Sequence, residues 1–520
     1  MHLNTTRSTK VWLGLGLIIV TGAITLAALL NNPSLDIGVA ETGTTDWPQL
    51  QHDAQRSGRS NYGLVGPFTV KWRWLGGNKW PDTSSPADFK GVEIPVLAQP
   101  IVGDNKVYVG SYNGKLYAIN LDTGNTAWSF TTGGPLLHTA GYAQTKVFTG
   151  SSDGNFYAIN TADGSLAWKY NTGSIYSAPL VLSDKVCIGS KTNFFYCFGF
   201  NGNLIFKYDA GAPIYYSAAA NSTGSKIYFG AENMQPYCLD ATSTNPNGQV
   251  CAGWTPDKIP GQNLIHYWPV FVGDKVTFST MPIAPTNEIF PAVEGIMDGV
   301  SGNNWSTAVE PRLIEYYQTR PFYQTLFVLD ATTGKKAANT ASSHIGAHQD
   351  AFSPPVVGDN GNLLLVYRGK DSSFQGSSYG SKYNLDIGLL NPTSGKITPI
   401  GTTQQYSAKM STDMDDNIAL TSAPGLVYGI HNGRCLVGVD MQAKNDFMVG
   451  QIVNEMRLSH CSDAQNFPSF FVRQLGTNIY PDIAGYNNRG EGMMGASISN
   501  NTVFMVFRGG AVFALTGTRK

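Results

Sequence analysis

From Lys106 onward, apolar and polar residues alternate in short runs that close on a glycine, pass a tight turn and alternate again. Four segments share the pattern: KVYVGSYNGKLYAINLDTGNTAWSF, KVFTGSSDGNFYAINTADGSLAWKY, KVCIGSKTNFFYCFGFNGNLIFKY and KIYFGAENMQPYCLD. Their glycines, Gly110, Gly150, Gly189 and Gly230, fall 40, 39 and 41 residues apart, the period of one β-propeller blade. Within a unit, Asn113-Gly114 or Asp153-Gly154 supplies a turn that tolerates positive φ, so the flanking runs form a hairpin. A second turn, Asp122-Thr123-Gly124 or Asp163-Gly164, leads to a strand carrying Trp128 or Trp168. A short apolar strand before each hairpin, as at 100–102, brings the unit to four strands.

Weaker copies follow: 272–279 continues at 325–330, 356–367 at 385–390, 426–430 at 434–440, and 502–507 at 511–515. The last copy lacks a fourth strand, while VKWRW at 70–74 is a tryptophan-bearing strand with no hairpin before it. Pairing the two closes a ring and removes the open sheet edges. The expected fold is therefore all-β: an eight-bladed β-propeller of four-stranded blades over residues 46–520, preceded by one N-terminal transmembrane helix. Insertions interrupt it at 281–321, with a short helix expected around 310–318, and at 442–490; 369–382 is a Gly/Ser/Tyr loop.

Residues 11–30, VWLGLGLIIVTGAITLAALL, carry no charge and are long enough to cross a bilayer. Arg7 and Lys10 precede the span, whereas Asp36 and Glu41 follow it with no base before Arg56. That asymmetry makes 1–10 a cytoplasmic tail, 11–30 the membrane anchor and 31–45 a linker, with the propeller on the periplasmic or cell-surface side. A cleaved signal peptide is the alternative; its small-residue site, Gly38-Val39-Ala40, stands far past the apolar run.

Only 14% of the chain is charged and its formal charge is −1, which leaves no electrostatic footprint for nucleic acid. The six cysteines all lie in the exported part, where an even count suggests disulfides. Sequential pairing is expected: Cys187 with Cys197, Cys238 with Cys251, Cys435 with Cys461. Buried free thiols are the alternative for Cys187 and Cys197.

The units G-S-x-x-G-x-x-Y-A-I-N-x-x-D/T-G-x-x-x-W, with Trp47-Pro48 and His52-Asp53 ahead of them, resemble the pyrroloquinoline quinone (PQQ) type repeat of quinoprotein propellers. The resemblance covers 47–520 and is strong over 98–240. It implies a ring in which tryptophans dock between blades. It also implies one of two branches: quinone-dependent dehydrogenases, or non-catalytic propellers such as BamB, which bind partner proteins.

A dehydrogenase of that type needs a divalent cation, usually calcium, and a carboxylate base. The vicinal cysteine pair of its alcohol dehydrogenases is absent, as is a C-x-x-C-H haem attachment. No cofactor is expected; PQQ with calcium is the alternative. Asp413, Asp415 and Asp416 form the densest acidic loop, but the EF-hand glycine and glutamate are missing, and a solvated turn is the favoured reading. His344 and His348, with Asp350 nearby, have zinc-ligand spacing yet no H-E-x-x-H glutamate, which favours a loop. Neither a G-x-S-x-G elbow nor a phosphate-cradling loop occurs, and no catalytic residue is assigned.

Aromatic residues concentrate in the insertions: Tyr316, Tyr317, Phe322 and Tyr323 in the first, Phe467, Phe470 and Phe471 in the second. They suit a protein interface or a private core over the propeller, and both readings stay open. The expected function is a non-catalytic, membrane-anchored scaffold or assembly factor that binds a partner protein. A PQQ-dependent dehydrogenase and a carbohydrate- or envelope-polymer-binding propeller are the alternatives.

Overall fold

The computed structural model describes residues 46–74, 97–261, 263–280, 305–341, 354–368, 385–400, 419–431, 435–441, 451–452, 495–507 and 511–520, with a few isolated positions between them. The expected anchor 11–30, the histidines at 344 and 348, the acidic loop at 413–416 and the aromatics at 467–471 lie outside the described residues.

The chain builds antiparallel sheets in sequence order, here labelled A to H. Sheet A comprises Ile101–Gly103, Lys106–Gly110, Lys115–Asn120 and Thr126–Thr131; sheet B comprises Gly141–Ala143, Lys146–Gly150, Asn155–Asn160 and Leu166–Asn171. Sheet C runs through Leu180–Val181, Lys185–Gly189, Phe194–Gly199 and Leu204–Asp209, and sheet D through Ala219–Ala220, Lys226–Gly230 and Pro236–Asp240. Sheet E holds Val270–Val272, Lys275–Ser279, Leu326–Asp330 and Lys336–Ala338; sheet F holds Val356–Val357, Leu363–Arg368, Leu385–Leu390 and Ile397–Pro399. Sheet G holds Leu420–Ala423, Leu426–His431, Cys435–Asp440 and Gln451–Ile452. Sheet H joins Ser497–Ser499, Thr502–Phe507 and Ala511–Arg519 to the N-terminal strand Leu64–Trp74 as its outer member.

The expected fold is corrected in its count of four-stranded blades. Among the described residues four-stranded sheets number seven, not eight, because sheet D has three strands and only an isolated bridge, Leu239 to Val250, where a fourth would stand. Its outer strand is replaced by a turn-rich loop, tied back by a disulfide from Cys251 to Cys238 and by the Cys251 N–H donating to the Cys238 carbonyl at 2.9 Å. In addition, no helix among the described residues is long and apolar enough to cross a membrane.

The inner strands are buried on both faces, as in Lys185–Gly189, because each sheet packs against two neighbours. Outer strands such as Leu166–Asn171 alternate exposed and half-buried positions. Buried clusters sit between successive sheets; between C and D, Phe195 stacks on Phe229 with centroids 4.4 Å apart. Ring closure follows the pairing expected from the sequence, with Val70 opposite Leu515 and Trp74 opposite Val512.

The repeated glycines have a steric cause. A Cβ on Gly150 would lie 2.2 Å from Ile175, and one on Gly189 would lie 2.4 Å from Ile214, the apolar residue of the following loop. Neither glycine has positive φ, so the requirement is close approach rather than backbone freedom. The tryptophans dock across sheets: the indoles of Trp72, Trp128 and Trp168 donate to Leu121, Thr161 and Phe200 at 2.9, 2.8 and 2.9 Å. Trp254 keeps this role for the three-stranded sheet, lying against Gly334 of sheet E.

Within the first insertion, a helix, α1 (Glu310–Thr319), starts behind a π-turn at Trp305–Val309. Trp305, Leu313 and Tyr317 fill the cluster between sheets E and F, and the buried Glu310 carboxylate accepts the Ile397 N–H at 2.6 Å.

Candidate functional site: the axial thread

The first strands of neighbouring sheets adjoin around the ring, A with B, B with C, D with E, E with F, F with G and H with A. Along this inner rim runs a segment that belongs to no sheet, residues 46–60, and its successive residues meet successive sheets. Trp47 exchanges both backbone hydrogen bonds with Val102 of sheet A, and the Pro48 carbonyl accepts from Tyr142 of B at 2.7 Å. On Val181 of C, the Gln49 side chain takes the place of a backbone partner, accepting at 2.9 Å and donating at 3.0 Å. The carbonyls of Ala54, Gln55, Ser57 and Gly58 then accept from Ala220 of D, Phe271 of E, Val357 of F and Ser422 of G at 2.7, 3.0, 2.7 and 2.8 Å. Gln99 brings in sheet H: its amide donates to the Gly495 carbonyl at 2.9 Å and accepts from the Gln51 N–H at 2.7 Å.

Arg56 holds the thread in shape. It is fully buried, and its guanidinium donates to the carbonyls of Ala218, Leu50 and Pro179, each at 2.8 Å, and to the Gln49 side chain at 3.2 Å. One cation thus fastens sheets C and D to the thread. Burial pulls its pKa down, and Asp53 opposes that. Burial also pushes the Asp53 carboxylate up, but the His52 imidazole 3.6 Å away and hydrogen bonds from Ser57 outweigh it and leave Asp53 below the ordinary carboxylate range. Beside Arg56, burial, His266 and Arg56 itself drive His138 down to about 3, so its imidazole is neutral; its Nε2 lies 3.3 Å from Ser217 Oγ.

The thread is strained. Gln51, His52 and Arg56 have φ of 54°, 76° and 58°, a left-handed conformation that costs a non-glycine residue on the order of 1–3 kcal/mol. Residues held so are over-determined by their surroundings, here hydrogen bonds to every sheet from A to G.

The site residues expected from the sequence divide. Tyr317 and Tyr323 are buried in the core between sheets E and F, Tyr316 is half-buried, and Phe322 is 43% exposed. Tyr316 carries the Arg320 guanidinium 4.8 Å above its ring. Cys187–Cys197 and Cys238–Cys251 are disulfides, directly opposite each other in the first case. The pairing of Cys435 with Cys461 lies outside the described residues, since position 461 does. Arg56, Gln49 and Gln99 escaped sequence reasoning because they stand outside the repeat; only the flagged Trp47-Pro48 and His52-Asp53 marked the segment.

A quinone with its cation does not fit the described residues of the rim. Asp53 is engaged by His52 and Ser57, Asp359 by Arg59 and the Gly425 N–H. No three His, Cys, Asp or Glu side chains among the described residues converge on one point.

Residues 40–245 match a PQQ-type repeat family described as outer membrane protein assembly factor BamB. Over that stretch, 206 of 520 residues, the chain resembles the PQQ-type repeat family. This propeller is similar in structure to the quinohemoprotein alcohol dehydrogenase of Comamonas testosteroni, at 13% identity and TM-score 0.51, over 91% of this chain and 80% of that one. A quinohemoprotein alcohol dehydrogenase of Pseudomonas putida HK5 aligns at 11% identity and TM-score 0.51, over 92% and 81%. BamB from Moraxella catarrhalis aligns at 14% identity and TM-score 0.36, over 82% of each chain. A comparison of the chain with curated proteins gives no match. At these identities the dehydrogenase likeness shows the fold alone.

Proposed function

We propose that this PQQ-type propeller is a non-catalytic scaffold or assembly factor that works outside the cytoplasm, is held at a membrane by residues 11–30 and binds partner proteins. The observation that carries the reading is the match of residues 40–245 to a family described as outer membrane protein assembly factor BamB, and the axial thread, residues 47–58, occupies hydrogen-bonding groups of the inner rim with the chain's own backbone and side chains. Two further facts support it. The disulfides Cys187–Cys197 and Cys238–Cys251 belong to an oxidising compartment. Phe322 projects from a buried aromatic base into solvent, as a residue that anchors an interface does.

The test combines two measurements. A photo-crosslinking residue at position 322 should capture a discrete protein in native membranes, whereas one at exposed Leu166, on an outer strand, should not. Dye reduction with added quinone, Ca²⁺ and alcohols should stay at background. Alcohol-dependent dye reduction would replace the scaffold reading with the dehydrogenase one.

A further inference from the structure

The repeat lays out one rim of the ring in register, because each hairpin turn bonds to the loop that leads into its own sheet from the one before. The Ser152 N–H donates to the Pro135 carbonyl, Lys191 to Ser174 and Glu232 to Pro213, each at 3.0 Å. The framework is constant: Leu136, Ile175 and Ile214 sit under Gly110, Gly150 and Gly189. What varies is the pair of surface positions beside it. The turn carries Ser152, then Lys191, then Glu232, and the loop carries Tyr176 and then Tyr215. Variation on a fixed frame places the differences where a ligand would read them.

At sheets C and D these positions form a cluster. Tyr176 and Tyr215, both half-buried, meet edge to face with centroids 5.3 Å apart and planes at 81°. The Lys191 ammonium stands 5.8 Å from the Tyr176 centroid. Partial burial raises the Glu232 carboxylate and Lys191 only opposes it; burial, then Glu232, then Tyr176 push the Tyr215 hydroxyl up to about 12. Among the described residues no cation lies within ion-pair distance of Glu232. Two perpendicular ring faces beside a carboxylate attract a cation, and the contact of Lys191 with Tyr176 is that attraction already in use within the molecule.

We propose that Tyr176, Tyr215 and Glu232 form a receptor for a guanidinium or ammonium group presented by a partner protein, with Lys191 the resident cation that the partner's group displaces. The proposal rests on the protein-binding reading above and deepens it. Its chemistry is charge complementarity: a basic side chain supplies Glu232 with the ion pair it lacks and stacks on the tyrosines, whereas an acidic or apolar segment leaves Glu232 uncompensated.

The test is titration of the whole exported chain with octa-arginine, octa-glutamate and spermine. Octa-arginine should bind and octa-glutamate should not. Glu232→Gln and Tyr176→Leu should each weaken octa-arginine about two- to five-fold, the worth of one exposed cation–π or ion-pair contact. Tyr176→Phe, which keeps the ring face, should bind as the parent does. Lys191→Ala, which vacates that face, should tighten binding by a similar factor. Unchanged affinity in all the variants, a loss in Tyr176→Phe equal to that in Tyr176→Leu, or weaker binding in Lys191→Ala would overturn the proposal. Binding of spermine without octa-arginine would overturn it in favour of a free polyamine. Should octa-arginine fail while position 322 still captures a partner, the receptor falls and the scaffold reading stands.

Discussion

The indole of Trp168 donates to the Phe200 carbonyl at 2.9 Å, and its ring lies where a Cβ on Gly202 would stand, 2.8 Å away. Gly202 also has φ of 91°, so the position excludes a side chain twice over, by backbone conformation and by contact. Gly202→Ala should cost about 2–4 kcal/mol, from left-handed strain plus overpacking. Trp168→Phe, which removes the hydrogen bond and part of the ring contact, should cost less. Urea unfolding of both variants checks the order.

Arg56→Lys keeps the charge but cannot reach acceptors on Ala218, Leu50, Pro179 and Gln49 together, because an ammonium is a point and a guanidinium a fork. Each buried carbonyl left unpaired costs about 1–3 kcal/mol. The variant should lose about 2–4 kcal/mol in urea and become open to proteolysis within 46–60. A parent-like unfolding midpoint would show that the thread is not held by Arg56.

Folding should weaken in mild acid. Burial lowers His138 to about 3 and His266 to about 4, against 6.5 for an ordinary imidazole. With the folded values depressed, the unfolded chain binds more protons below 6.5. This stability is complete above pH 6.5 and is lost as pH falls toward 4 and 3. At pH 5 the loss should be roughly 2 kcal/mol per histidine. Asp53, also lowered, adds its loss only below the ordinary carboxylate value of 3.8. Urea midpoints at pH 7, 6 and 5 measure the slope, and His138→Gln should flatten it by about half.

The disulfide Cys238–Cys251 closes the loop that stands in for the fourth strand of sheet D. Cys238→Ser/Cys251→Ser should cost about 3 kcal/mol, the value for a closed loop of this size. Because the loop is fastened mainly to the edge of sheet D, hydrogen exchange should quicken first in 241–254. Trp254 would lose its docking on Gly334 with it.

The hairpins and the ring closure were legible in the sequence, and the docking of the tryptophans was implied by the family resemblance. These are local or periodic: a turn glycine, an alternating run and a tryptophan recur at fixed distance, and Val70–Trp74 stood out as a strand without a partner. The 310–318 helix was legible for the same reason. The missing fourth strand of sheet D was not, because Val250 and Cys251 lie in a stretch whose fate depends on a disulfide and a docked Trp254 rather than on its own alternation. Tertiary structure alone decided the rim. Arg56, His138 and Ser217 are 82 and 79 residues apart in turn, each about two blade periods, and no local pattern marks them as neighbours. Only the closing of the sheets into a ring turns their first strands inward and leaves a row of unpaired N–H groups, which the thread must satisfy. Lys191 and Glu232 were likewise only turn residues until the repeat placed their loops side by side, since a side chain's neighbour across two sheets is set by packing and not by the chain between them.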